Sequence, residues 1–281
     1  MKPAPFAYRR PETLEAALEA LAGESGAKVL AGGQSLVPLL SMRLAAPTVL
    51  VDVNRLPGLD EVSVTDDEVR VGALVRHADL LVDERARAVQ PLLAMALAHV
   101  AHATIRNRGT TVGSIVHADA AAEMPTVLAL LGGSVEVASL RGRRTIAAGD
   151  LFAGPLESTL AADELALAAA FPVLRPGEGV GFAEIARRHG DYALCGVAGV
   201  VRLEEGRAAE ARLGYLSVND VPTVVDVTGL DAEAAAERAL ERLEPADDVH
   251  ATAAYRAQLV RVLTKRVLAA ATDHARGRAD G

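Results

Sequence analysis

The first 55 residues alternate between helical and strand patterns, which restricts the chain to folds that combine both kinds of element. An amphipathic helix is predicted by apolar residues at helical spacing, Leu14, Ala17, Leu18 and Leu21. A short strand at residues 28–31 runs into Gly32-Gly33, and a second helix ends before Pro47. A further strand follows at residues 48–53. The N-terminal part is therefore predicted to be a small α/β unit.

From about Gly58 the pattern changes to short strands and helices in irregular order, which predicts an α+β fold overall. Strands are predicted at 61–64, 68–72, 135–138, 144–146 and 165–173, and helices at 77–83 and 89–101. Residues 172–181 are interpreted as a linker and are the best candidate for a domain boundary. Beyond it we predict strands at 192–203 and 211–218 and helices at 231–243 and 250–271. We expect one domain over residues 1–175, with parts of about 1–57 and 58–175, and a C-terminal domain over residues 180–281.

Composition excludes several classes of function. The 281 residues carry a net charge of -8, and no basic cluster offers a footprint for nucleic acid. The single cysteine, Cys195, cannot close an internal disulfide or hold an iron–sulfur cluster by itself. No apolar stretch approaches the roughly 18 residues of a membrane-spanning helix. We therefore expect a cytoplasmic protein without a nucleic-acid partner or a transmembrane segment.

The junction Ala31-Gly32-Gly33-Gln34-Ser35-Leu36 is the first candidate binding site. Glycines allow a ligand to approach the backbone closely, and a helix N-terminus presents free N–H groups to a phosphate. The same residues also fit a tight turn with Ser35 as the N-cap. No G-x-G-x-x-G fingerprint for a dinucleotide is present, since Gly177, Gly179 and Gly181 follow Pro176 within the predicted linker.

A second stretch of small residues, Arg106-Asn107-Arg108-Gly109-Thr110-Thr111-Val112-Gly113-Ser114, is predicted to be a loop after a helix. Its hydroxyl and backbone N–H groups suit a diphosphate or a ribose, and a surface turn with solvated arginines fits equally. A further candidate is the stretch 187–194, in which Tyr192 begins an apolar strand. Tyr192 fits either a core position or a flat partner for a planar ring.

Five residues could ligate a metal on paper, His99, His102, His117, Asp119 and Glu123. The spacing of His99 and His102 predicts adjacent faces of one helix. Histidines in an Ala-rich helix are more often packed or solvated, so we predict no metal site, and the acidic residues also fit ribose hydroxyls. No order of residues indicates a nucleophilic triad, and Cys195 lies in an apolar strand that is typical of an inert, buried thiol. No catalytic residue is assigned.

Several segments together resemble the FAD-binding medium subunit of molybdenum hydroxylases. The type most resembled is the flavoprotein of aerobic carbon monoxide dehydrogenase, and the FAD domain of xanthine dehydrogenase is more distant. The segments are Pro5-Phe6-x-Tyr8-x-Arg10-Pro11-x-Thr13-Leu14, residues 31–36 and 105–114, His117-Ala118-Asp119-x-Ala121-x-Glu123-x-Pro125, residues 187–193, His250-Ala251-x-Ala253-x-Tyr255-Arg256 and Leu263-Thr264. Their order and spacing extend the resemblance over nearly the whole chain.

The resemblance implies a two-part FAD-binding domain of the vanillyl-alcohol-oxidase type, followed by a smaller α+β C-terminal domain. It implies that residues 31–36 and 110–114 hold the FAD diphosphate, and that Glu123 and the main chain at Leu165 meet the cofactor. Tyr192 is expected to lie against the isoalloxazine ring. The FAD-binding residues expected in this way are Lys28, Ala31, Gly32, Gly33, Gln34, Ser35, Leu36, Thr110, Thr111, Gly113, Ser114, Glu123, Leu165 and Tyr192.

One departure from the family pattern concerns the second loop. The pattern has two adjacent glycines there, whereas Val112 occupies the first of these positions beside Gly113. If the position requires a positive φ or close approach to phosphate, Val112 weakens FAD binding. Ala120 replaces a usual proline, which is a milder change.

By resemblance, the chain binds one FAD and receives electrons from two [2Fe-2S] clusters of a small partner subunit. A molybdopterin-binding large subunit oxidises the substrate, and the flavin reduces an external electron acceptor. The resemblance also implies a dimer of heterotrimers. Two alternatives are a stand-alone FAD oxidoreductase that acts on its own small substrate and a scaffold that has lost FAD. The substrate of the complex and the identity of the acceptor do not follow from the sequence.

Overall fold

The N-terminal part of the chain is a parallel sheet with two helices. A computed structural model describes residues 2–279. The first elements are β1 (Ala7–Arg9), α1 (Leu14–Gly23), β2 (Ala27–Leu30), α2 (Leu36–Met42) and β3 (Val49–Asp52). The strands pair in the order β1-β3-β2, and both pairings are parallel. Because the carboxyl ends of parallel strands meet at one edge, the segments after β2 and β3 lie side by side.

The middle part combines an antiparallel sheet with six helices. Its elements are β4 (Val62–Val64), β5 (Glu68–Gly72), α3 (His77–Val82), α4 (Glu84–Val89), α5 (Pro91–Leu97), α6 (Ala103–Arg106), α7 (Thr111–His117), α8 (Glu123–Leu131), β6 (Ser134–Ser139), β7 (Gly142–Ala147), β8 (Phe152–Gly154), β9 (Glu157–Ser158) and β10 (Leu165–Pro172). Five strands form one sheet in the order β4-β5-β10-β6-β7, while β8 and β9 form a separate ribbon.

The C-terminal part is an antiparallel meander with two helices. Its elements are β11 (Glu178–Ala186), β12 (Ala193–Glu204), β13 (Arg207–Leu216), β14 (Thr223–Asp226), α9 (Ala232–Leu240) and α10 (Ala253–Ala279). The four strands pair in chain order. Phe171, Val180 and Ala198 belong to one buried cluster, so this sheet shares a hydrophobic core with the middle part. Within the described residues, no helix has the length and apolar character needed to cross a membrane.

The linker predicted at residues 172–181 is shorter than expected, because β11 begins at Glu178. Gly179 and Gly181 therefore lie in a strand. A Cβ atom on Gly179 would lie 2.2 Å from the backbone nitrogen of Ala275, so this glycine lets α10 pack directly on the strand. The helix predicted at residues 250–271 starts later and ends later than expected, because α10 spans Ala253–Ala279.

Candidate functional site

The two small-residue loops singled out in the sequence touch each other in the folded chain. The first joins β2 to α2, and the second joins α6 to α7. A Cβ atom on Gly32 would lie 2.4 Å from the carbonyl oxygen of Arg108 and 2.8 Å from the Cα atom of Gly109. Because no heavy atom fits at that distance, only glycine at position 32 allows the loops to meet.

The prediction of one continuous loop over residues 106–114 is wrong in its second half, because Thr111–His117 forms α7. Thr110 is the N-cap of this helix, and its hydroxyl oxygen accepts a hydrogen bond from the backbone N–H of Gly113 at 3.2 Å. A Cβ atom on Gly113 would lie 2.4 Å from that hydroxyl oxygen. The glycine at position 113 therefore allows Thr110 to cap the helix.

Several backbone N–H groups in the two loops have no protein acceptor. Among the residues that the structure describes, the N–H groups of residues 33–36 donate no hydrogen bond, and neither do those of Thr110 and Val112. Backbone donors rarely stay unpaired away from water, and rows of them in a small-residue loop bind phosphate oxygens. The arrangement fits the diphosphate of FAD.

Val112 does not strain the second loop. It is the second residue of α7, and its φ is not positive. Its side chain is buried in the core together with Val75 and Ile115. The position therefore requires no left-handed backbone, and the valine side chain packs in the core of the middle part.

A series of polar side chains connects both loops to the N-terminal sheet. Asn54 lies just after β3 and donates hydrogen bonds to the carbonyl oxygen of Ala31 at 2.8 Å and to Asp52 at 2.7 Å. Arg76 donates hydrogen bonds to the side-chain oxygen of Asn54 at 2.8 Å and to the carbonyl oxygen of Arg108 at 2.7 Å. The Asn54 amide thus connects the first loop to the end of β3, and the Arg76 guanidinium connects Asn54 to the second loop.

Asp52, Asn54 and Arg76 were not among the site residues expected from the sequence. A signal was available for the first two, because polar residues at or just after the carboxyl end of a buried parallel strand mark the edge where ligands bind. Tyr8 donates a hydrogen bond from its hydroxyl to Asp52. Burial opposes ionisation of Asp52, but the hydrogen bonds from Tyr8 and Asn54 lower the pKa of its carboxyl group. Asp52 is therefore an anion at neutral pH.

Asn54→Ala is expected to destabilise the chain by about 1.5–3 kcal/mol, because it removes hydrogen bonds to two charged groups. Urea unfolding measures this loss. The control is Asn107→Ala, since Asn107 is exposed and makes no side-chain hydrogen bond with any described residue. We expect the control to change stability by less than about 0.5 kcal/mol. Equal effects of the two substitutions would contradict the role given to Asn54.

The buried side chain of His77 packs against the second loop. Its side chain is 3% exposed, and its Nδ1 atom lies 3.2 Å from the hydroxyl oxygen of Thr111. A Cβ atom on Gly109 would lie 2.9 Å from the His77 ring. Burial, together with the charge of Arg106, lowers the pKa of His77 to about 4. His77 is therefore neutral at physiological pH, and its uncharged ring packs against Gly109 and Thr111 of the second loop.

Tyr192 lies in the turn between β11 and β12, because β12 begins at Ala193 and not at residue 192 as predicted. It is 66% exposed and lines a cavity of about 390 Å³ together with Asp119. Asp191 accepts hydrogen bonds from Arg187 and Arg188, which fixes the turn. An exposed aromatic ring on a fixed turn is available to a planar ligand, so the core alternative for Tyr192 is wrong.

Two further residues expected at the site, Lys28 and Leu165, differ in the exposure of their side chains. Lys28 is exposed on β2, and its charge acts on His117 at the end of α7. Burial is the main cause that lowers the pKa of His117, with Asp119 opposing and Lys28 adding to the effect.

Leu165 begins β10, and its side chain is buried in the core of the N-terminal part. The side chain of Leu165 is therefore not available to a ligand.

Glu123 is the first residue of α8 and is 8% exposed. Burial is the main cause that raises the pKa of its carboxyl group to about 8, and the nearby carboxylates of Glu184 and Asp119 raise it further. Glu184 lies on β11 and was not identified from the sequence. The sequence offers no signal for this pair, because the two residues are far apart along the chain.

The expected helical pairing of His99 and His102 is wrong, because α5 ends at Leu97 and His102 is the N-cap of α6. The His102 ring instead packs against Gly190 in the Tyr192 turn, where a Cβ atom would lie 2.3 Å from it. No group of three or more metal-ligating side chains gathers among residues 2–279. Cys195 is fully buried, and burial raises the pKa of its thiol to about 12, so it is inert.

Comparison with known proteins adds the following findings. The family described as the FAD binding domain in molybdopterin dehydrogenase matches residues 4–174, and the CO dehydrogenase flavoprotein C-terminal domain matches residues 181–271. The 6-hydroxypseudooxynicotine dehydrogenase complex subunit alpha of Paenarthrobacter nicotinovorans is 42% identical, over 98% of this chain and 97% of that protein.

Two solved structures have the same fold over nearly the whole chain. Carbon monoxide dehydrogenase from Hydrogenophaga pseudoflava, in a form that lacks the Mo-pyranopterin moiety, superposes with a TM-score of 0.93 at 30% identity, covering 98% of this chain and 99% of that chain. Quinoline 2-oxidoreductase from Pseudomonas putida 86 superposes with a TM-score of 0.91 at 37% identity, covering 99% of this chain and 100% of that chain.

Proposed function

Since the chain belongs to the family of FAD-binding medium subunits of molybdenum hydroxylases, we propose that it relays electrons within a complex of three kinds of subunit. A molybdopterin-binding large subunit oxidises the substrate. A small subunit with two [2Fe-2S] clusters delivers the electrons to this chain, which passes them to an external acceptor. We further propose that the complex lies in the cytoplasm.

The chain binds FAD, and the proposal assigns the diphosphate to the junction of the two small-residue loops. The unpaired N–H groups of residues 33–36 are the observation that carries this assignment, because they supply donors for phosphate oxygens without any cationic side chain. The polar series through Asn54 and Arg76 holds both loops at a fixed separation. When bound, the flavin supplies the electron carrier that the chain itself lacks.

The other expected site residues receive more limited roles in this proposal. Tyr192 covers the isoalloxazine ring and excludes water from that face. The main chain of Leu165 meets the cofactor, while Lys28 contributes a positive charge at the edge of the site. We also propose a division between an FAD-binding domain that ends near residue 175 and a C-terminal domain that begins near residue 180.

The source of the electrons follows from what this chain does not supply. Cys195 is its single cysteine and is buried in β12, so iron–sulfur clusters that feed the flavin must be carried by another chain. The Thr111 hydroxyl and the His77 imidazole, which lie beside the loops, are both buried and do not face an organic substrate. The residues therefore support a role in binding and positioning the flavin rather than in transforming an organic substrate.

Co-expression with the candidate large and small subunits tests the proposal. We expect the three chains to purify together with one FAD for each copy of this chain, measured by size-exclusion chromatography and absorbance. A chain that saturates with FAD but never associates with either candidate would contradict the relay. Reduction of its flavin by a small molecule with no partner present would favour the stand-alone oxidoreductase.

A further inference from the structure

The imidazole ring of His102 lies against the backbone of Gly190 in the Tyr192 turn, residues 187–192. A Cβ atom on Gly190 would lie 2.3 Å from Cε1 of the ring and 2.6 Å from each ring nitrogen. Such similar distances place this position above the face of the ring, because an approach in the ring plane would leave both nitrogens much farther away than Cε1. Gly190 also has a φ of 84 degrees, which favours glycine. The face-on contact therefore requires a residue without a side chain at position 190.

His102 begins a short segment whose other end touches the first loop. Its carbonyl oxygen accepts a hydrogen bond from the backbone N–H of Ile105 at 2.9 Å. The carbonyl oxygen of Ile105 accepts one in turn from the N–H of Gly109 at 2.7 Å. A Cβ atom on Gly32 would lie 2.8 Å from the Cα atom of Gly109. Residues 102–109 are thus one hydrogen-bonded segment that touches the first loop at its end and the Tyr192 turn at its start.

The hydrogen bonds inside the Tyr192 turn fix its shape but not its place. Asp191 accepts hydrogen bonds from the side chains of Arg187 at 3.4 Å and Arg188 at 3.0 Å. Both donors belong to the turn itself, so these bonds do not determine where the turn lies relative to the two loops. The His102 ring comes from the middle part of the chain, and it also meets the His189 ring, with the ring centroids 5.8 Å apart. The contact with His102 therefore joins the turn to the segment that carries the second loop.

We propose that His102 is a positioning residue, whose ring holds the Tyr192 turn in place relative to the junction of the two loops. Tyr192 follows Gly190 by two residues and is 66% exposed, so loss of the contact frees its ring to move. The His102 side chain makes no capping hydrogen bond to α6, so its replacement leaves the end of that helix unchanged. The consequence for the flavin rests on the proposed FAD site, in which Tyr192 covers the isoalloxazine ring.

A tryptophan at position 192 reports the mobility of the turn without any cofactor. The chain contains no tryptophan, so Tyr192→Trp confines indole fluorescence to the turn. In this background, His102→Ala should increase the nanosecond component of the anisotropy decay at least about twofold, because loops move on this timescale. His102→Phe should restore the decay of the parent, because a flat ring again covers Gly190. Thr104→Ala, an exposed position on the same helix, is the control and should leave the decay unchanged.

The anisotropy measurement decides the positioning role by itself. The same decay in His102→Ala and in its parent would overturn the role. A decay in His102→Phe that matches His102→Ala would overturn the proposed face-on contact, since the charge or the nitrogens of the imidazole would then hold the turn. Urea unfolding should give all the variants the midpoint of the parent, because His102 is exposed.

FAD affinity tests the consequence for the cofactor site in the chain that keeps its own Tyr192. By fluorescence titration, we expect Tyr192→Ala to weaken FAD binding about fivefold, which is in the range of one aromatic contact. His102→Ala should weaken binding about threefold, because a mobile ring keeps only part of this contact. In a chain that already carries Tyr192→Ala, His102→Ala should change the affinity by less than about 1.5-fold, because His102 acts through Tyr192.

The outcomes distinguish this inference from the function on which it rests. Equal losses of affinity from His102→Ala in the two backgrounds would overturn its action through Tyr192. An unchanged affinity in Tyr192→Ala would contradict the contact between Tyr192 and the flavin, and failure of the wild-type chain to bind FAD would contradict the FAD site. In both of these cases the anisotropy decay would still show whether His102 holds the turn.

Discussion

Gly32→Ala is expected to weaken FAD binding by at least about 100-fold, which corresponds to about 2.7 kcal/mol. The added methyl group would lie 2.4 Å from the carbonyl oxygen of Arg108 and 2.8 Å from the Cα atom of Gly109. Both neighbours are backbone atoms, so one loop must move away from the other. Overpacking of this kind costs about 1–3 kcal/mol in the fold alone. The separation would also spread the N–H groups that we assign to the diphosphate.

Flavin fluorescence titration measures this affinity. Gly23→Ala is the matched control, because a Cβ atom on Gly23 meets nothing within 4 Å and its φ is not positive. The control should bind FAD like the wild type. If Gly32→Ala binds FAD within about threefold of the wild type, the contact between the two loops does not shape the FAD site, and the assignment of the diphosphate is wrong.

Arg256→Met is expected to destabilise the chain by about 3–5 kcal/mol, because it removes the hydrogen bonds that a buried guanidinium group donates to two carbonyl groups and to a carboxylate. The Arg256 side chain is 8% exposed. It donates hydrogen bonds to the carbonyl oxygens of Leu194 and Ser217 and to the carboxylate of Asp248. Methionine fills the space but leaves the carbonyl groups of Leu194 and Ser217 without the donor that Arg256 supplies. Because Leu194 lies two residues after Tyr192, the turn that carries the aromatic ring should also become mobile.

Urea unfolding measures the loss of stability, and Arg261→Met is the control on the same helix. Arg261 pairs with Glu237 at the surface, where the two side chains are 40% and 61% exposed. Exposed ion pairs contribute at most about 1 kcal/mol, so the control should remain close to the wild type. Similar losses in the two variants would show that Arg256 contributes no more than a surface arginine.

Local patterns in the sequence predict the regular elements well. The spacing of Leu14, Leu18 and Leu21 predicts α1, and the structure buries the last two of these side chains against the parallel sheet. The apolar run around Cys195 predicts a buried strand, which is β12. Both predictions depend only on residues close together in the chain, for which hydrophobic periodicity is sufficient to predict the type of element.

The errors arise where a turn has no sequence signal. The helix expected over residues 89–101 breaks at Ala98, and Ala101 adopts a φ of 42 degrees although it is not glycine. Neither glycine nor proline marks this break. The opposite error affects residues 111–114, where Thr, Val, Gly and Ser suggest a loop but form the start of α7. Burial of Val112 and the Thr110 cap favour the helix over local propensity.

The site was only partly predictable because its geometry depends on contacts between distant segments. The two loops could be identified from their glycines, but the contact between Gly32 and Gly109 could not. The hydrogen bonds that Asn54 and Arg76 make with the loops and with each other join residues 22, 23 and 32 positions apart. Such contacts are set by tertiary structure, for which a single sequence carries no periodic signal.

Anaerobic rapid mixing of the FAD-loaded chain with its reduced partner subunits tests the electron relay most directly. The large and small subunits are reduced with dithionite, freed of excess reductant and mixed with the oxidised chain, while the visible absorbance of the flavin is recorded. The relay predicts that the flavin is reduced only when the iron–sulfur subunit is present. A flavin that stays oxidised with the reduced partners, but is reduced by a small organic substrate alone, would contradict it.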